Sequence, residues 1–197
     1  LIGTAIASLQ AQSYLHWECV VVDDGSSDDT LNVLADYASQ DKRIKYYTRE
    51  RLPKGAPTCR NIGLHHAKGN YVIYLDSDDY LLPFCLQQRV AAFKAYPTAH
   101  FLVFPMGVQK EGAVVKQEIP KHTDYLIRFL SADLPWSIMC PIWDRSFLKT
   151  LNGFAEGYPR FNDPELMIRA LLQDHVDYKV FPDYDYDSVF IPSVKAQ

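Results

Sequence analysis

At 197 residues, 48% hydrophobic and 22% charged, the chain holds enough apolar side chains for one globular domain of ordinary size. Its net charge of −4 gives no general attraction to nucleic acid, and no basic stripe with interleaved aromatics is present. No apolar run reaches bilayer length and no basic-then-apolar leader is present, so neither a membrane span nor a secretory signal is supported.

Ile2, Ile6 and Leu9 recur at helical spacing and predict an amphipathic helix over residues 1–13. Trp17-Glu-Cys-Val-Val-Val22 then reads as a strand that runs into the acidic turn Asp23-Asp24-Gly25-Ser26-Ser27-Asp28-Asp29-Thr30. Leu31, Val33, Leu34 and Tyr37 continue as a second helix, which Ser27, Asp28 or Asp29 can cap. Capping accounts for Asp28 and Asp29 and leaves Asp23 and Asp24, at the strand's end, as the functional candidates.

Ile44 to Tyr47 predicts a strand, Arg49 to Pro57 a loop, and Cys59 to Leu64 part of a helix that stops near Gly69. Arg60, near the positive end of that helix, is disfavoured by the dipole and either faces an anionic ligand or, as is commoner, is a plain surface arginine. Histidines 65 and 66 are adjacent on this helix, point different ways and make a poor metal pair. Tyr71 to Leu75 reads as a buried strand ending in Asp76-Ser77-Asp78-Asp79. In an open α/β sheet, ligands collect outside the carboxyl ends of strands. In an extended segment Asp76 and Asp78 would point to one side and could share a divalent cation or a polar ligand. A solvated Asp-Ser-Asp turn is the plain structural reading of the same residues.

Pro83 is read as opening a helix with Leu86, Val90 and Phe93, and Ala99 to Phe104 as a strand. The alternation of helix and strand to this point calls for a mostly parallel α/β sheet. Beyond it, Val108 to Ile119 suggests a hairpin around Glu111-Gly112, and Tyr125 to Leu130 a short helix. Pro135 to Trp143 reads as a ligand-facing wall or an edge strand, in which Trp136 or Trp143 could stack on a sugar or fill the core. Asp163 and Pro164 fit the N-cap and first position of a helix running to Leu172. Tyr178 to Phe181 would be the final strand, before a polar tail from Asp183 to Asp187. The four cysteines, Cys19, Cys59, Cys85 and Cys140, lack Cys-x-x-Cys spacing and are expected as free thiols.

Four of these pieces, in this order, resemble a known family. They are Val20 to Thr30, Arg60-Asn61-Ile62-Gly63, Gly69 to Asp79, and Asn162-Asp163-Pro-Glu-Leu166. Together they are similar to the inverting, nucleotide-sugar-dependent glycosyltransferases of family 2, which have the GT-A fold. The resemblance implies a single α/β domain, with residues 1–105 as the nucleotide-sugar-binding half and 106–197 as the acceptor-side half. It implies Asp24, with Asp23, at the nucleotide base and Arg60 and Asn61 near the nucleotide or donor sugar. It also implies Asp76 and Ser77 near the ribose, Asp78 on a manganese or magnesium ion, and Asp163 as catalytic base. The donor implied is a nucleoside-diphosphate sugar, with UDP as the expected nucleotide, and the acceptor a saccharide or a lipid-linked saccharide. Such an enzyme is expected in the cytoplasm or peripherally at the inner face of the cell membrane.

The sequence departs from the family in two ways. The family's first strand, internal to its sheet, is not in this sequence, and a fragment of a longer chain is therefore expected. Asn162 stands where the family often has an acid. Two other readings compete. In a haloacid-dehalogenase-like phosphatase Asp76 would be the nucleophile and Asp78 the general acid, but the acids at Asp23-Asp24 would go unexplained. In a non-catalytic nucleotide-sugar-binding domain Asp163 would be dispensable.

Overall fold

Helices form where apolar residues recur at helical spacing, and in the computed structural model, which describes residues 1–158 and 160–192, most of them lie against strands. α1 (Ile2–Gln10) buries Ala5 and Ile6, and α2 (Thr30–Gln40) buries Leu34. Ile6 and Leu34 meet Ile44 in a small core that covers one face of β1 (Cys19–Asp23) and β2 (Ile44–Thr48). These two strands pair in parallel, Cys19 opposite Ile44 and Asp23 opposite Thr48, so their carboxyl ends lie side by side. α3 (Ala56–His66) packs on β1, with Gly63 facing Val20 and Val22. It ends at Ala67 with extended backbone, and Gly69 is not the left-handed stop expected.

A four-stranded sheet occupies the centre, in the order β3 (Tyr71–Val72), β8 (Pro141–Asp144), β5 (Phe101–Val103), β9 (Tyr178–Val180). Its largest core gathers Phe101, Trp143, Phe147 and Leu166 beneath α6 (Arg145–Thr150) and α7 (Asn162–Leu171). The run from Pro135 to Trp143 is therefore an internal strand and its approach, not a wall or an edge. Trp136 and Trp143 are both buried, which removes either ring from a sugar-stacking role.

The other four-stranded sheet runs β4 (Tyr80–Leu81), β10 (Ser188–Phe190), β6 (Gly107–Lys110), β7 (Ala113–Lys116). The hairpin β6–β7 turns at Glu111 and Gly112, both at positive φ, a turn that matches the strand twist. α4 (Cys85–Ala95) starts two residues after Pro83, and α5 (Tyr125–Leu130) is capped by Asp124 and packs on α7.

The α/β layering with helices against sheets is as expected, whereas the strand pairing is mixed. Of seven pairings among the described residues, three are parallel and four antiparallel. Antiparallel β8 enters between β3 and β5, and β10 enters between β4 and β6. β10 lies beyond what was read as a polar tail, and Asp187 at the end of that stretch is fully buried. The reason is a partner 98 residues away: Asp187 takes two bonds from the buried Arg89 of α4, at 2.8 and 2.5 Å.

Candidate active site

The acidic ends of β1 and β3 and the start of α7 meet around the first half of α3. Because β1 and β2 are parallel and in register, Arg49, just past the end of β2, reaches Asp24, just past the end of β1. Asp24 also accepts from the Gly55 amide at 3.3 Å and lies 3.6 Å from the Cys59 sulfur, both at the N-terminal end of α3. Burial opposes its ionisation, but the Arg49 bond, the Gly55 amide and the Arg49 charge outweigh it and hold the Asp24 carboxyl below the usual range. Asp23 turns the other way. Its carboxylate accepts from the amides of Gly25 and Ser26 and from the Ser26 hydroxyl, so it closes its own turn and is buried.

One residue further along α3, Arg60 joins the other two acidic segments. Its Nη2 donates to Asp76 Oδ1 at 2.7 Å, and its Nη1 donates to Asp163 Oδ1 at 2.5 Å and to Asn162 Oδ1 at 2.8 Å. The guanidinium is 12% exposed and lies over the Phe154 ring, 5.1 Å from its centroid. Burial works against its charge, and the two carboxylates restore it. The expectation that Arg60 faces an anion is met here by protein carboxylates.

Asp163 is not the helix cap. The N-cap is Phe161, a non-glycine residue in the left-handed conformation (φ 58°), without a side-chain cap bond. That turn makes Asn162 the first helical residue and sends the Asp163 side chain to Arg60 instead of to the helix amides. Burial raises the Asp163 pKa above the usual range; the charge of Arg60 opposes the shift, and that of Asp76 adds to it. A carboxylate that is 30% exposed, raised in pKa and positioned through one oxygen by an arginine can take a proton from a hydroxyl on the other.

The segment Asp76 to Asp79 is a turn and not an extended strand end. The Asp79 amide donates to the Asp76 carbonyl at 3.1 Å, and the β3 ladder stops at Val72. Ser77 is exposed at its tip. With Asp76 held by Arg60 and Asp79 by the Ile191 amide, Asp78 is the acid of this turn without a protein hydrogen bond among the described residues. No group of three or more His, Cys, Asp or Glu that could hold a metal ion occurs among those residues. Asp78, with Asp76 nearby, fits a cation that takes one or two carboxylates from the protein and its other oxygens from phosphate and water.

Asn61 has a different task from its neighbour. Its Nδ2 donates to the Phe154 carbonyl (2.9 Å) and to Glu156 (2.8 Å), and its Oδ1 accepts from the Phe154 amide (2.8 Å). It fastens the 152–156 loop to α3, and its polar atoms face this loop instead of the Arg60 cluster. Arg49, Phe154 and the Asp79–Ile191 bond were not picked out from the sequence. Of the three only Arg49 left a trace there, because parallel pairing of two consecutive strands puts their ends together. A broader groove opens on the far side of Asn61, lined by Tyr46, Tyr47, His65, His66, Lys149 and Asn152. None of Asp24, Asp76, Asp78 or Asp163 lines it.

Comparison with known proteins bears on the fold and the family. A glucosyltransferase of Campylobacter jejuni, GalNAc(5)-diNAcBac-PP-undecaprenol beta-1,3-glucosyltransferase, is 42% identical over 82 residues, which is 42% of this chain and 26% of the relative. UDP-Glc:alpha-D-GlcNAc-diphosphoundecaprenol beta-1,3-glucosyltransferase WfgD of Escherichia coli is 38% identical over 90 residues, 46% of this chain and 34% of that one. The matched segments thus span about a third or less of these relatives. The crystal structure of Staphylococcus aureus TarS 1–349 in complex with UDP-GlcNAc superposes with a TM-score of 0.80 at 25% identity, covering 99% of this chain and 56% of that one. The mannosyltransferase PcManGT of Pyrobaculum calidifontis, in complex with GDP-Man and Mn2+, shares the fold at a TM-score of 0.67 and 18% identity. The model of glycosyl transferase family 2 matches residues 1–146, about three quarters of the sequence, and the chain belongs to that family.

Proposed function

We propose that this chain carries the donor site and the base of an inverting glycosyltransferase. It would move a sugar from a UDP-sugar to a hydroxyl of a glycan or a lipid-linked saccharide. The observation that carries this reading is the Arg60 bridge, which sets the acidic turn at Asp76 and the carboxylate of Asp163 on two sides of one guanidinium. Donor-binding and proton-accepting groups then flank one reacting centre, as a single displacement needs. A phosphatase using Asp76 as nucleophile would leave Asp163, held on the same guanidinium, without a task. The E. coli relative's UDP-Glc donor and the UDP-GlcNAc bound to TarS favour uridine as the nucleotide.

In this mechanism Asp24, fixed by Arg49, meets the base, Asp76 the ribose, and Ser77 the rim of the donor site. Arg60 sits where diphosphate charge would arrive. Asp23 and Asn61 act one step back, Asp23 by closing its turn and Asn61 by holding the loop under Arg60. The acceptor oxygen attacks the anomeric carbon and its proton passes to an Asp163 oxygen. The bond from that carbon to the phosphate oxygen breaks, and its electron pair leaves with the nucleoside diphosphate. Asp78 would hold a manganese or magnesium ion, which when bound would supply Lewis-acid neutralisation of that leaving group. Residues 1–105 serve the donor and 106–197 the acceptor, with Asp163 at their junction. A lipid-linked acceptor would bring the protein to the inner face of the membrane from the cytoplasm; no helix of the described residues is long and apolar enough to cross it.

Thermal unfolding with UDP, with and without manganese, tests the reading. UDP should raise the midpoint only with the metal, and Asp78→Ala should abolish the rise. Asp163→Ala should keep it while transfer falls by about 10²- to 10⁴-fold. Undiminished transfer by Asp163→Ala would remove the base assignment.

A further inference from the structure

Asp79 is a carboxylate with no exposed work to do. It is 3% exposed, and burial, with the charges of Asp76 and Asp78, pushes its pKa up to about 6 against the hydrogen bond from Ile191. Burying such a group is unfavourable unless it is well bonded, and its partner lies far away in sequence: the Ile191 amide donates to Asp79 Oδ1 at 2.8 Å across 112 residues.

The setting of that bond explains its use. Strands β4 and β10 pair antiparallel, Leu81 with Ser188 and Tyr80 with Val189, and the ladder ends there. Just beyond it the chain at residue 79 has turned into the acidic loop, so its backbone no longer extends the ladder. The Asp79 carboxylate takes the Ile191 amide in its place and prolongs the pairing by one bond made through a side chain. The Asp79 backbone amide meanwhile closes the turn onto the Asp76 carbonyl. One residue thus fixes the turn at its closing position and ties it to a strand from the far end of the fold. That strand is itself anchored, since Asp187 and Ser188 accept from the buried Arg89, and the Leu82 amide donates to the Asp187 carbonyl at 2.8 Å.

From this geometry we infer that Asp79 is a positioning residue: its bond to Ile191 lets strand β10 set how Asp76 and Asp78 project into the donor site. The inference rests on the donor-site reading above for what the turn binds, but not for the anchoring. It requires the Asp79 oxygen as an acceptor and not its charge, which separates it from a role as a direct cation ligand.

Two substitutions in the full chain discriminate. Asp79→Asn keeps a side-chain oxygen for Ile191, and Asp79→Ala removes it. Amide hydrogen exchange, with circular dichroism to verify folding, should show the Ile191 amide exchanging about tenfold or more faster in Asp79→Ala and near the unaltered rate in Asp79→Asn. Calorimetric titration with UDP and manganese should weaken by about tenfold in Asp79→Ala and by less than about threefold in Asp79→Asn. Unchanged exchange in Asp79→Ala overturns the anchoring, and equal weakening of UDP binding in both variants overturns the positioning role in favour of direct ligation. Absence of UDP binding by the unaltered chain would overturn the donor reading instead, and the exchange result would still decide the anchoring.

Discussion

Arg60 holds two acids that a glycosyl transfer would need to behave differently, Asp76 receiving the donor and Asp163 accepting a proton. Its charge lowers the Asp163 pKa against the effects of burial and of Asp76. A base must be ionised to act, so the rate should fall as pH drops through the pKa of Asp163. Removing Arg60 takes away the opposing charge and moves that limb to higher pH. For Arg60→Met we expect kcat/KM to fall by about tenfold or more at neutral pH, with the acid limb of the pH–rate profile displaced upward. An arginine that merely bound donor would lower the rate without moving the limb. At this scale the sequence was informative where chemistry is concentrated, because Asp24, Asp76, Asp78 and Asp163 stand in motifs whose order is distinctive. It was silent on which of two adjacent acids faces outward. Asp23 folds back onto the amides of Gly25 and Ser26, in a turn where Gly25 has positive φ, whereas Asp24 reaches across to Arg49 and the Gly55 amide.

Among the elements, the helices other than α6 (Arg145–Thr150), which was not foreseen, were placed to within a few residues, while the strands were harder to read. Tyr71 to Leu75 has the composition of a long strand, yet only Tyr71 and Val72 pair with β8, although β8 itself continues to Ile142 and Pro141. β10 is three residues long and follows an acidic stretch, so nothing local marks it. The loop that supports Arg60 is another case of long-range definition. Asn152 and Gly153 are both left-handed, and a β-carbon on Gly153 would collide with the Asn61 side chain that holds Phe154. Gly153→Ala should therefore cost about 2 kcal/mol in urea unfolding, from backbone strain and a displaced Asn61 amide. It should also weaken transfer, since the ring beneath Arg60 shifts with the loop.

The assembly of the whole molecule depends on a buried ion pair far from the chemistry. Arg89 and Asp187 are both fully buried, and Arg89 also donates to the Met139 carbonyl at 2.8 Å, which ties α4 to β10 and to the approach of β8. Losing one partner leaves an uncompensated charge: Arg89→Met or Asp187→Leu alone should destabilise by about 3–5 kcal/mol. The double variant should recover much of that loss in urea unfolding, because burying two apolar groups avoids the desolvation penalty. The expected order of helices and strands was legible as an α/β pattern; the mixed pairing was not, because the sequence does not say that β8 and β10 enter between strands already made. That insertion has a consequence for biosynthesis. The gap between β4 and β6 stays open while residues 111–187 are made, and until the segment at 188–190 fills it the acidic turn lacks its bond to Ile191. In a nascent chain of this topology the facing edges of β4 and β6 therefore stay unpaired until the last described strand has been made.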